Sequence, residues 1–273
     1  MYSPLHQITL DGLQIGYRVQ GRGPDVLLLH GWVSSGRMWQ TMMDALESRF
    51  RLWAPDLPGF GDSEKPEHSW YSIANYNRFV RQFMARLALE QVDVIGHSMG
   101  GMLAFDLAIE HPEQVRRLAA INPVVTGRTH LDLRLLSESS FGQQMLKLGR
   151  WVWPLATSDW PDWAWLGVDR KRAIYARRIR EDWGKATSDS AMSSLRAIAR
   201  NDLTPRLTQV KAPTLVVVGN RDLTAPNSEG RLAAHSVPGA RLVVLPTGHL
   251  PTDDLPDRTQ TLVEEFLGVR EFA

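Results

Sequence analysis

Residues 92–101 read Val92-Asp93-Val94-Ile95-Gly96-His97-Ser98-Met99-Gly100-Gly101. A short, largely apolar run ends in Gly-x-Ser-x-Gly and opens onto a stretch of helical spacing that closes at His111-Pro112. Gly-x-Ser-x-Gly arises by chance in many loops, so its context decides its meaning. Here the spacing predicts a buried strand, a sharp turn carrying Ser98, and a helix. Such a turn holds a serine in strained backbone and lifts its hydroxyl clear of a sheet, while glycines two residues to either side let strand and helix approach closely.

Outward from that segment, similar apolar runs recur at Val26–Leu29, Leu52–Ala54, Leu118–Ile121, Leu215–Val218 and Leu242–Leu245. Runs of this length are what strands buried on both faces look like. Helical spacing appears between them at Ile73–Leu89, Gly100–Glu110 and Arg258–Leu267. Before them, His6–Leu10 and Leu13–Gln20 alternate apolar and polar residues around Asp11-Gly12, which predicts a β-hairpin. The expected fold is therefore α/β, with a mostly parallel eight-stranded sheet and helices on both faces. The alternation breaks from about Val124 to Pro205, where six of the ten tryptophans fall (Trp151, Trp153, Trp160, Trp163, Trp165 and Trp183). It resumes at Ala212-Pro213-Thr214. Residues 1–123 and 206–273 are expected to form the core and residues 124–205 a helical cap inserted in it.

Composition narrows the function classes. The 273 residues carry 31 Lys+Arg against 30 Asp+Glu, a net charge of +1 that supplies no global field for nucleic acid or an anionic membrane. With no cysteine, disulfide scaffolds, thiolate nucleophiles and Cys-ligated zinc are excluded. No eighteen-residue apolar run occurs, and the first residues lack the basic and apolar regions of a signal peptide, so a cytoplasmic location is expected. The basic run Arg170-Lys171-Arg172 with Arg177, Arg178 and Arg180 reads as a solvated helix face. Gly21-Arg22-Gly23 and Gly59-Phe60-Gly61 are not dinucleotide fingerprints, because neither joins a strand to a helix with a third glycine in register.

A serine hydroxyl is a poor nucleophile until a base takes its proton. Of the eight histidines only His249 combines a preceding apolar run with a loop flanked by Gly248 and Pro251. His97 lies inside the turn and is expected to pack beneath it, and His30 to serve as a structural hydrogen-bonder. No His-Glu-x-x-His or other metal spacing occurs. The base needs a carboxylate to fix its tautomer. Asp222, in the loop Gly219-Asn220-Arg221-Asp222, falls at the carboxyl end of a strand, where ligands of open α/β sheets bind. Asp253 and Asp254 compete for that role but read as a solvated turn before the last helix.

The order Ser98, Asp222, His249 resembles that of the α/β-hydrolases. His30-Gly31-Trp32 resembles the family's oxyanion-hole loop, Asp56-Leu57-Pro58-Gly59-Phe60-Gly61-Asp62-Ser63 its loop after the fourth strand, and Gly96–Gly101 its nucleophile elbow. The resemblance covers residues 4–123 and 206–268. It implies Ser98 as nucleophile, His249 as base, Asp222 as the acid that orients it, and the backbone N–H groups of Trp32 and Met99 as oxyanion donors. It further implies ester hydrolysis through an acyl-serine, with a small apolar ester as substrate and no cofactor or metal. Lactone opening, C–C hydrolysis and acyl transfer use the same triad. Family members that cleave C–C bonds more often carry a small residue after His-Gly and Asn before the serine, where this chain has Trp32 and His97. Epoxide hydrolases and haloalkane dehalogenases have an aspartate nucleophile where this chain has Ser98. A receptor with the same fold is the reading from another class, and turnover separates it from an enzyme.

Overall fold

The hairpin forms where alternation and turn chemistry agree. Strands β1 (Leu5–Leu10) and β2 (Leu13–Gly21) pair antiparallel across Asp11 and Gly12, which have φ of +46° and +81°. Two successive left-handed residues match the strand twist of a tight hairpin, and Asp-Gly adopts them at low cost. A computed structural model of the chain describes residues 2–127, 144 and 170–268, and of residues 170–176 only the backbone.

The buried runs become β3 (Asp25–Leu29), β4 (Arg51–Pro55), β5 (Val92–His97), β6 (Val115–Ile121), β7 (Thr214–Gly219) and β8 (Arg241–Leu245). The sheet has eight strands in the order β1-β2-β4-β3-β5-β6-β7-β8, antiparallel at β1/β2 and β2/β4 and parallel elsewhere. Alternate residues of the same strands feed two separate cores. Leu27, Leu29, Val94, Leu118, Ala120, Val216 and Val218 face one layer, while Val26, Leu28, Ile95, Ala119, Ile121, Leu215 and Val217 face the other. The first layer holds helices α2 (Ile73–Arg86) and α3 (Met99–Glu110). The second holds α1 (Gln40–Leu46) and the C-terminal helix Pro256–Gly268. Val26 to Leu29 are all fully buried, and burial of each such side chain stabilises the fold by roughly 1.5–3 kcal/mol.

Between β6 and β7 lie α4 (Arg170–Lys185) and α5 (Ser188–Ala199), in the interval expected to hold the cap. Helix α5 begins with a capping box: the Ser190 N–H donates to Thr187 Oγ1 at 2.9 Å, and the Thr187 N–H donates back to Ser190 Oγ at 3.0 Å. Leu203 N–H donates to Val125 O at 2.8 Å, so the excursion from the sheet leaves and returns side by side. Helix α6 (Asn227–Ser236) anchors the departing strand end. Its buried Glu229 accepts from the N–H groups of Val125 and Thr126, each at 2.8 Å.

Two readings of the sequence change. Strand β8 is not buried on both faces: it is the sheet edge, with Leu242 and Val244 37% and 39% exposed. The basic run is not wholly a solvated face, since Arg178 is buried in a two-pronged ion pair with Asp253, both N···O distances 2.9 Å. Trp151, Trp153, Trp160, Trp163 and Trp165, and the side chains of Arg170, Lys171 and Arg172, lie outside the described residues.

Candidate active site

Parallel registers bring the carboxyl ends of five strands to one level. Leu29 pairs with Gly96, His97 with Ile121, Ile121 with Val217, and Gly219 with Leu245. The loops that follow carry Trp32, Ser98, Asp222 and His249.

Ser98 has φ +54° and ψ −114° between β5 and α3. For a residue with a side chain this costs of order 1–3 kcal/mol, and surrounding structure must impose it. The glycines make that possible. A Cβ on Gly96 would stand 2.3 Å from the Gly100 carbonyl oxygen, and one on Gly100 would stand 2.1 Å from the Leu29 carbonyl oxygen. Helix α3 is thereby drawn tightly onto β3 and β5, buried from Met99 to Ile109. The Ser98 N–H donates to Ile121 O at 3.0 Å, fixing the turn, and the residue is 8% exposed. Met99 opens α3, so its N–H has no acceptor within the helix, and the positive end of the helix dipole lies beside it. The Trp32 N–H takes part in none of the backbone bonds that hold its own loop.

Asp222 is buried, and Oδ2 accepts from His249 Nδ1–H at 2.7 Å. Its other oxygen accepts from the N–H groups of Thr224 at 2.7 Å and Ala225 at 3.0 Å. Burial pushes the acid up, but the His249 hydrogen bond and charge, with those two backbone donors, outweigh it and hold it below the usual carboxylate range. With Nδ1 carrying the donated proton, the lone pair of His249 is left on Nε2. The two loops are stitched together, since Asn220 N–H donates to Leu245 O and Arg221 N–H to Thr247 O, each at 2.9 Å. Among the described residues Ser98 Oγ makes no hydrogen bond to His249. Such contacts often tighten only when substrate is bound.

The remaining candidates separate. His97 packs beneath the turn, edge-on to the His249 ring at 4.7 Å between centroids, and its Nε2–H donates to His249 O at 2.8 Å. Burial, then the neighbouring His249 ring, holds its pKa down to about 3. His30 is fully buried and bridges Gly31 O and the Leu57 N–H, each at 2.8 Å. Asp253 and Asp254 do not touch the imidazole. Asp253 pairs with Arg178 and Asp254 accepts from Gly248 N–H at 2.7 Å, so neither is a merely solvated turn residue. Trp32 is partly buried against the first core layer: its indole N–H donates to Ala191 O at 2.9 Å and Ser194 Oγ at 3.2 Å on α5, and its ring meets Trp183 of α4 edge-on at 5.7 Å.

The sequence reading does not single out Asn122 or the links between α4 and the loop after β3. Ser35 Oγ donates to Asp182 Oδ1 at 2.8 Å, and Arg37 Nη2 donates to the same oxygen at 2.6 Å. The available signals were a polar residue directly after the buried run Leu118–Ile121 and charged residues just past the oxyanion-loop motif. Among the described residues no group of three or more His, Asp or Glu side chains could hold a metal ion, and no helix is long and apolar enough to cross a membrane.

Comparison with known proteins shows what the chain and its fold are similar to. An uncharacterized protein of Mycobacterium tuberculosis is 30% identical over 96% of this chain and 81% of its own length. The pimeloyl-[acyl-carrier protein] methyl ester esterase of Aeromonas hydrophila is 28% identical over 91% of this chain and 97% of its own. The crystal structure of the enol-lactonase from Burkholderia xenovorans superposes with a TM-score of 0.79 and 25% identity, covering 97% of this chain and all of that one. The profile of the alpha/beta hydrolase fold matches residues 24–254, and with the strand order, the strained serine turn and the Asp222–His249 bond, this chain belongs to the α/β-hydrolase family.

Proposed function

We propose that the chain is a serine hydrolase of carboxylic esters, with residues 1–123 and 206–273 as its core and residues 124–205 as its cap. The observation that carries the reading is the 2.7 Å bond between Asp222 and His249 Nδ1 on the same rim as Ser98 with its φ of +54°. Ser98 Oγ attacks the ester carbonyl while His249 Nε2 accepts the hydroxyl proton. Asp222 stays ionised and stabilises the imidazolium. The Met99 and Trp32 N–H groups bind the tetrahedral oxyanion, assisted by the N-terminus of α3. His249 then protonates the leaving alcohol, and afterwards takes a proton from the water that releases the acid and frees Ser98. The preferred substrates are small, uncharged esters of short to medium acyl chain, a reading supported by the tryptophan-rich cap sequence; the methyl ester named for the Aeromonas relative is carried on a protein and supports ester cleavage alone.

A fluorophosphonate probe is expected to label Ser98 in the wild type and not in Ser98→Ala, which should lose nearly all turnover of aryl esters. Retained labelling or turnover in Ser98→Ala would overturn the assignment. Lactone opening is a second reading, favoured by the enol-lactonase likeness, and a substrate panel of aryl esters and lactones ranks the two by kcat/KM.

A further inference from the structure

Asn122 follows β6 directly and adopts φ +42°, a left-handed conformation that exposed loops give to Asn but that a 3% exposed residue must be held in. Its backbone N–H donates to Val217 O at 2.8 Å. Its side-chain oxygen accepts the Gly219 N–H at 2.7 Å, and Nδ2 donates to Gly248 O at 3.1 Å and His249 O at 2.9 Å. The partners fix the amide orientation, because an N–H lies on one side and two carbonyls on the other. One side chain thus joins the end of β7, which leads to Asp222, to the backbone of His249 itself. The fit has no slack: a Cβ on Gly219 would lie 2.2 Å from Gly248 O. His97 completes the clamp by donating to the same His249 carbonyl.

We infer that Asn122 is a positioning residue that sets the separation and orientation of the Asp222 and His249 loops, so that the base meets its acid in register. The inference rests on the reading of His249 as the base. No other residue type supplies an acceptor and two donor hydrogens at this reach together with tolerance of positive φ. Aspartate would set a carboxylate against two carbonyl oxygens, and serine is too short to span both loops.

The test compares Asn122→Ser and Asn122→Ala with wild type in the full chain, using a p-nitrophenyl ester as probe. Misplacement of a catalytic group by about 1 Å costs up to about 100-fold. The expected result is a kcat lower by roughly 10–100-fold with KM changed less than about 3-fold, and a downfield proton resonance of the His249–Asp222 bond that shifts or broadens below the melting transition. Val263→Ala, in the second core on the C-terminal helix, serves as control, expected to lower the melting temperature while leaving that resonance and kcat in place. An unchanged resonance and kcat in the Asn122 variants would overturn the inference. If the variants are too unstable to assay, Gly219→Ala, which pushes against Gly248 O from the other side, must reproduce the shifted resonance, or the inference fails. Because the resonance is read without turnover, full activity of His249→Gln would sink the proposed chemistry separately.

Discussion

Asp222 and Asp253 both flank the His249 loop, and their partners differ. Asp222 spends one oxygen on the His249 ring and the other on two backbone N–H groups, whereas Asp253 faces the buried guanidinium of Arg178. Asp222→Asn keeps the shape but lets the ring adopt the wrong tautomer, and kcat should fall by about 10³–10⁴-fold with little change in fold. Asp253→Asn removes a charge from a buried pair, so it should lower stability by about 2–4 kcal/mol while kcat stays within a few-fold of wild type. Steady-state kinetics and denaturant titration of both variants check the pair. The reverse pattern would move the acid to Asp253. The residues of the elbow were legible because their chemistry is written locally: a Gly-x-Ser-x-Gly after an apolar run can satisfy its backbone in few ways. Asn122 was not legible, since its partners are loops more than ninety positions away.

At the scale of elements, α3 and α5 both meet the His30-Gly31-Trp32 loop. Helix α3 packs Gly100 against the end of β3, so Gly100→Ala would drive a methyl into the Leu29 carbonyl. Overpacking of that kind should cost about 1–3 kcal/mol and reduce Ser98 labelling by a fluorophosphonate, measured alongside thermal melting. Helix α5 holds the loop through the Trp32 indole. Trp32→Phe preserves most of the ring and removes the donor, so stability should drop by about 1 kcal/mol and kcat/KM by roughly 5–50-fold if the indole steadies the oxyanion N–H. An unchanged kcat/KM at normal ester concentrations would show that the core alone sets the loop. Helix α4 adds the Asp182 links to Ser35 and Arg37, so the described part of the interval between β6 and β7 is bound to the core by polar contacts as well as by apolar packing.

For the whole molecule, buried histidines shape the response to acid. His97 is neutral in the folded state, with its pKa held down to about 3 by burial and by the His249 ring, and burial also lowers that of His30. In the unfolded chain a histidine takes up a proton near pH 6.5. For His97, between pH 6.5 and about 3 the unfolded state therefore binds the extra proton, and stability falls as pH falls, by about 1.4 kcal/mol per pH unit. The stability contributed by neutral His97 is complete above pH 6.5. Buried Asp56 is raised by its own burial and acts in the opposite sense at low pH, so the informative quantity is a difference between variants. His97→Gln keeps a donor for the His249 carbonyl and removes the titration. Its unfolding free energy should decline less steeply than that of wild type from pH 6.5 to 4.5, by about 2 kcal/mol over that interval. Parallel curves would mean that His97 titrates normally in the fold.

The sequence by itself determined the hairpin, the run of buried strands, the strained serine turn and the order Ser98, Asp222, His249, because each depends on hydrophobic spacing or on turn chemistry spanning a few residues. Core membership followed for the same reason, and only the edge strand β8 departed, since nothing in an apolar run says whether a further strand will cover it. Tertiary structure alone decided where the Trp32 indole points, that Arg178 is buried against Asp253, and that Asn122 clamps two loops. Those outcomes depend on side-chain polar groups finding partners far away in the chain. A single aspartate, arginine or asparagine has the same letters whether it faces water or a buried carbonyl, and only the packing of helices and loops on the strand ends brings its partner within hydrogen-bond distance.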